Sequence, residues 1–289
     1  MAVYERTYQP YRGALTPEAS RFLVMSRYAF RDTFKSRLFV AFFALCFAVP
    51  FGAVIVIYLH YNLSALQVLG LSLDRLQSIL PIDANFFYRI QSFQGFLAFL
   101  LSLFVGPALV APDLRNNGLA LYLSRPFSRR EYLTGKITVL LTLLSLITWV
   151  PGLFLFGLAA YLDKASWLGE HLSYASAIFA GSWAWILALS LLSLAVSAWV
   201  KWKPVARIGL LVLYFVVSGF GRAIDAVLHS WWGELASLPR LITTILRSLF
   251  GLSAETLMPV PAAWIALALL CVSCLGLLAL RVRAYEVVR

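Results

Sequence analysis

The side chains in this sequence that could do chemistry are few, and their spacing decides what each can do. His60, His171 and His229 stand alone. None belongs to an HExxH helix or to the two-ligand spacing of a metal centre, and each falls at the border of an apolar run, so they read as interfacial side chains. Cys271 and Cys274 have the C-x-x-C spacing of a redox pair but lie among Leu, Ala and Val, where cysteine packs as a small hydrophobe. Cys46 is in the same situation, so no disulfide framework is expected. Gly135-Lys136 looks like the tail of a phosphate-binding loop, yet that loop needs glycine at 130 and Ser or Thr at 137, where this chain has Arg130 and Ile137. No nucleotide cradle, GxSxG elbow or carboxylate pair is present, so no catalytic residue and no bound cofactor or metal is expected. Arg222 and Asp225, three apart on one helical face, form the remaining charged constellation. They are expected near the outer interface, either as a vestibule pair that meets a translocated substrate or as a self-neutralising pair reaching the headgroups.

The elements that must position these residues are membrane spans. Of 289 residues, 61% are hydrophobic and 13% charged, whereas soluble domains carry about 25% charged residues. Six apolar runs are long enough to cross a bilayer: 38–60, 93–112, 137–161, 175–199, 205–228 and 262–281. Pro50, Pro107, Pro112 and Pro151 lie in or beside them and predict kinks. With the N-terminus inside, the inner segments hold eighteen of the Lys and Arg residues and the outer segments five. The net charge of +11 therefore reads as a topology signal with both termini cytoplasmic. Because the basic residues are divided among four membrane-flanking segments, nucleic acid is not an expected partner; the lipid bilayer is. The chain divides into a cytoplasmic segment, 1–37, and a six-span domain, 38–289.

Two inner segments carry local signals. Thr16 and Pro17 can start a helix over 17–37, with Phe22, Leu23, Ala29, Phe30 and Phe34 on one side and Arg27, Arg31 and Lys35 on the other. This predicts an amphipathic helix lying in the interface. Between the second and third spans runs DLRNNGLALYLSRPFSRREYLTGK (113–136). Ser128 and Glu131 have capping-box spacing and predict a helix start that feeds the third span. Leu119, Leu121 and Leu123 are too apolar for a free loop and call for a partner groove, beside the basic cluster of Arg125, Arg129 and Arg130. On the outer side, 239–251 is apolar but too short to span, which predicts a surface or re-entrant helix.

At 113–136 the sequence resembles the membrane subunits of type-two ABC exporters, on Asp113, Gly118, Leu119, Ser124, Arg125, Pro126, Ser128, Arg129, Gly135 and Lys136. The resemblance is specific in this one segment and architectural elsewhere. It implies an all-helical integral membrane permease, of single-domain bacterial form, in the cytoplasmic (inner) membrane, with a cytoplasmic coupling helix. It also implies two copies of a separate ABC ATPase, which would hold ATP and Mg, and a second copy of this chain. Asp113, Gly118, Leu119, Leu121, Leu123, Arg125, Pro126, Ser128, Arg129, Arg130, Glu131 and Lys136 would then couple the ATPase to the spans. A non-transporting scaffold, or a membrane-embedded lipid-modifying enzyme, remains the alternative on sequence alone.

Overall fold

The computed structural model describes residues 20–62, 81–116, 128–163, 165–200, 202–255 and 257–281, and among these there are helices and turns but no strand. Helix α1 (Arg21–Phe34) precedes a first span made of α2 (Arg37–Leu45) and α3 (Ala48–Tyr61). The second span is α4 (Ala84–Leu109), followed by the short α5 (Ala111–Arg115), and the third is α6 (Arg129–Ile147) with α7 (Trp149–Leu162). A short α8 (Ala165–Glu170) leads into the fourth, α9 (Leu172–Trp199). The fifth consists of α10 (Lys203–Leu211), a π-helical turn (Val212–Val216) and α11 (Val217–Leu228). A 3-10 turn (Trp232–Ala236) and α12 (Leu238–Leu249) come before the sixth span, α13 (Val260–Arg281). Six helical stretches are thus long and apolar enough to cross a membrane.

Proline sets the breaks. Pro50 has no amide hydrogen, so the carbonyl of Cys46, four residues back, loses its helical donor. The first span breaks there, and Gln94 Nε2 donates to Cys46 O at 3.0 Å from the second span. Pro107 frees the carbonyl of Leu103 in the same way, and Arg207 Nε of the fifth span donates to it at 3.1 Å. A carbonyl left bare in hydrocarbon is costly, which is why a kinked span needs neighbours. The third span breaks at Thr148, ahead of Pro151, with the Thr148 hydroxyl turned back onto Leu144 O at 2.7 Å.

The second span begins earlier than its hydropathy predicts, at Ala84 rather than 93. Asp83 caps it by accepting from Phe86 N at 2.9 Å. Arg89, Gln91 and Gln94 lower the local hydropathy, but Gln91 and Gln94 are 3% and 1% exposed. Gln91 faces the fourth span and Gln94 the first, not lipid. Gln91 donates to Ser182, Trp185 Nε1 donates to Gly95 O at 2.7 Å, and Ser193 donates to Ser102 O at 3.4 Å. Small and polar side chains of this kind hold membrane helices together where lipid removes the usual hydrophobic drive. Accordingly the second and fourth spans are 72% buried in their apolar windows, whereas the first, fifth and sixth are 22%, 17% and 22% buried and present apolar side chains outward.

The two ends of the bundle differ. At one end Arg281 lies over the Trp199 ring (5.6 Å) and Arg115 over Trp202 (5.9 Å), so the ends of the second, fourth and sixth spans meet there with the start of the fifth. At the other, Tyr61 donates to Asp163 at 2.8 Å, and the rings of Tyr88 and Tyr174 both approach Phe250. Here α12 buries Leu238, Leu241, Ile242, Ile245 and Leu246 and packs on α9 and α13. That helix accounts for the apolar stretch at 239–251.

Candidate functional site at the basic end

Helix α6 opens with the capping box that the spacing predicts. Ser128 Oγ accepts from Glu131 N at 3.2 Å, and the Glu131 carboxylate accepts from Ser128 N at 2.6 Å. The third span, Arg130–Leu162, is 33 residues long, or about 50 Å of helix against a hydrocarbon core of about 30 Å. The surplus lets its first turns stand clear of the hydrocarbon, and on them sit Tyr132 and Lys136, one turn apart on the same face.

These two side chains converge on Asp113. Lys136 Nζ lies 2.9 Å from Asp113 Oδ2, and the Tyr132 hydroxyl donates to the same oxygen at 2.8 Å. The ammonium also sits 5.5 Å from the centre of the Tyr132 ring. Tyr132 is 1% exposed and Lys136 8%, so this is a largely desolvated charge pair. Asp113 reaches it because α5 turns away from the second span with Pro112 in its first turn, and because Ala111 N donates to Ser197 Oγ of the fourth span at 3.0 Å. The clamp therefore ties the end of the second span to the start of the third and anchors both on the fourth.

Helix α1 closes the arrangement from the side. The buried Ser26 hydroxyl donates to Gly135 O at 2.8 Å. A Cβ at Gly135 would lie 2.9 Å from the carbonyl of Phe22 and 3.1 Å from Met25 Cβ, so glycine is what lets the two backbones approach. The basic face of α1 is exposed at Arg27, Arg31 and Lys35, as expected. Its packed face is centred on Phe22, Ser26 and Ala29, leaving Leu23 and Phe34 49% and 43% exposed. Beside them, the Lys35 ammonium bound to Asp32 at 2.6 Å holds that carboxyl below its ordinary range. Thr16 and Pro17, the expected helix start, lie outside the described residues.

Of the residues singled out for coupling, the structure brings Asp113 onto Lys136 and Ser128 onto Glu131, and it leaves Arg130 exposed in the first turn of α6. Gly118, Leu119, Leu121, Leu123, Arg125 and Pro126 lie outside the described residues, and Arg129 is described only as the first residue of α6. Tyr132 and Ser26 were not among the expected site residues. The signal for Tyr132 was its place one turn before Lys136; Ser26 had none in the local sequence. Among the described residues no group of three or more His, Cys, Asp or Glu could hold a metal ion.

At the end opposite the basic one, the expected pair of Arg222 and Asp225 is not formed. Arg222 is exposed, and Asp225 instead accepts from Gly233 N at 2.7 Å and from Ser230 at 3.4 Å. The reversal that brings Gly233 there is at His229, whose left-handed backbone (φ 49°) folds the 3-10 turn back along α11. The carboxylate goes to an amide in the first turn of the 3-10 helix, where the intrahelical ladder supplies no acceptor.

Fold and site together define a multi-span helical integral membrane protein. Comparison with protein-family models and with curated proteins yields no match.

Proposed function

We propose that this chain is the membrane-spanning permease subunit of an ATP-driven ABC transporter of the exporter type, with its N-terminus, its C-terminus and the 113–136 connection in the cytoplasm. The observation that carries the reading is the clamp of Asp113, Tyr132 and Lys136. It fixes both ends of one connection to the bundle at the basic end, so that a push on that connection is transmitted to the second, third and fourth spans together. In this reading two copies of the chain pair with two copies of a separate ATPase, which supplies the ATP and Mg chemistry. Leu119, Leu121 and Leu123 seat in an ATPase groove, and Arg125, Arg129 and Arg130 orient it. Binding of ATP draws the connections of the two copies together and rocks the spans between inward- and outward-facing states. The basic excess at one end supports the topology.

Affinity purification of the chain in mild detergent, followed by mass spectrometry, tests this. The expected result is co-purification of an ATPase subunit in equal number with the chain. Leu121→Asp places a charge in an apolar groove and should abolish recovery at unchanged membrane expression. Ser128→Ala removes one capping bond, worth about 1 kcal/mol, and should leave recovery intact. Absence of any ATPase in several detergents, or full recovery with Leu121→Asp, overturns the reading.

A further inference from the structure

Between α1 and the inner parts of the second and fifth spans lies an open cleft of about 620 Å³, within the size range of small-molecule sites, roughly 300–1,000 Å³. Its lining is of two kinds: apolar side chains including Met25, Phe39, Phe104 and Leu109, and the charged groups Asp32, Asp113, Lys136, Lys203 and Arg207. The two acids are already answered, Asp32 by Lys35 and Asp113 by Lys136. Arg207 has one nitrogen on Leu103 O and its guanidinium 5.8 Å from the Phe104 ring, with no carboxylate partner among the described residues. Lys203, one turn before it on the same helix face, likewise has no ion-pair partner among the described residues. Among the described residues two cations thus remain unanswered beside apolar lining at the basic end of the spans.

We propose that this cleft binds the phosphate headgroup of an anionic phospholipid, with Lys203 and Arg207 on the phosphate and the glycerol and upper acyl segments against Phe39, Phe104 and Met25. A basic pocket between membrane helices at the cytoplasmic face is suited to such headgroups. The apolar wall distinguishes a lipid from free phosphate, which would gain nothing from it. The site does not depend on the transport reading; only its assignment to the inner leaflet rests on the topology given above. A lipid there also packs against α1, whose Ser26 holds Gly135 beside the clamp, so its occupancy bears on the position of that helix.

The full-length chain in detergent, titrated with phosphatidylglycerol and separately with phosphatidylcholine of the same acyl chains, is read by native mass spectrometry. Phosphatidylglycerol should be retained at least about tenfold better. At roughly one fivefold factor per basic charge, Lys203→Gln should weaken it about fivefold and Lys203→Glu about 30-fold. Lys203 is the residue to change because Arg207 also serves the Leu103 carbonyl. Ala108→Trp narrows the cleft without touching a charge and should cause a comparable loss, while Arg222→Gln at the other end should change nothing. Equal retention of the two lipids, or unchanged retention in both Lys203→Glu and Ala108→Trp, overturns the proposal. Displacement of the lipid by inorganic phosphate alone would assign the cleft to a free anion and overturn it too.

Discussion

Asp113 at the basic end and Asp225 at the opposite end are both acids held near the end of a membrane span, and their charges are answered by different means. Asp113 receives an ammonium and a phenol on one oxygen. Asp225 receives a backbone amide and a serine on one oxygen, while its other oxygen is buried without a hydrogen-bond partner among the described residues. The neighbouring Glu234 also has a buried, unpartnered oxygen. Burial raises its pKa and the charge of Asp225 raises it further, against the opposing pull of Arg240 and of the Met258 amide. One end is built around a neutralised pair that fixes two spans, and the other around Asp225, which holds a backbone reversal, with Glu234, whose carboxyl burial raises, beside it.

The largest expected effect follows from the neutralised pair. Lys136→Met strands the Asp113 carboxylate in a site where both side chains are at most 17% exposed, and removing one partner of a buried pair costs about 3–5 kcal/mol. The thermal midpoint of the purified chain should fall sharply. Adding Asp113→Asn should recover much of the loss, and a double-mutant cycle reads the difference. Independent, additive losses would mean that the pair does not act as a clamp.

Next is the backbone contact that the reversal at His229 requires. A Cβ on Gly233 would collide with the carbonyl of Gly221, and a Cβ on Gly221 with the carbonyl of Gly233. Neither neighbour is a side chain that can swing aside. Gly233→Ala should therefore cost about 1–3 kcal/mol, the range for overpacking, and should loosen protease protection of the 229–249 hairpin before that of the basic end. Unchanged protection there would show that α11 and the 3-10 turn do not need this approach.

How far these two ends could be read from the sequence differs as well. The six spans were legible because runs of about 20 apolar residues have few other uses. The start of the second span was not, because hydropathy treats Gln91 and Gln94 as polar without knowing that Ser182 and the Cys46 carbonyl receive them. At the basic end, the Ser128 and Glu131 capping box was legible from local spacing alone, whereas Asp113 and Lys136 entered only through the resemblance of the 113–136 segment, which did not pair them. Ser26 was not, since its partner lies 109 residues away. At the opposite end the sequence misled: i,i+3 spacing puts Arg222 and Asp225 on one face, but a backbone amide brought in by tertiary folding took the carboxylate.

A smaller, pH-dependent effect is expected from Glu234. Its carboxyl is raised in the folded chain, so the stability it contributes is complete below the ordinary carboxyl range and is lost as pH rises through the folded value. Glu234→Gln mimics the protonated form. The wild-type thermal midpoint should decline more between about pH 4 and about pH 7 than that of the variant. Parallel curves would mean that the 3-10 turn does not desolvate this group.

The smallest effect separates the two ends most directly. If Asp225 is held by Gly233 N and not by Arg222, losing the arginine removes only an exposed charge, which typically changes stability by no more than about 0.5 kcal/mol. Asp225→Asn keeps an acceptor for the Gly233 amide while removing the carboxylate charge. Arg222→Gln and Asp225→Asn should then combine additively, with a coupling below about 0.5 kcal/mol, whereas the same cycle at Asp113 and Lys136 should couple by several times that. The contrast holds because spacing along a helix only permits a pair, and the competing donor decides whether it forms. A coupling of about 1 kcal/mol or more between Arg222 and Asp225 would show that the arginine turns back onto the carboxylate in the bilayer, and would give the opposite end a second neutralised pair.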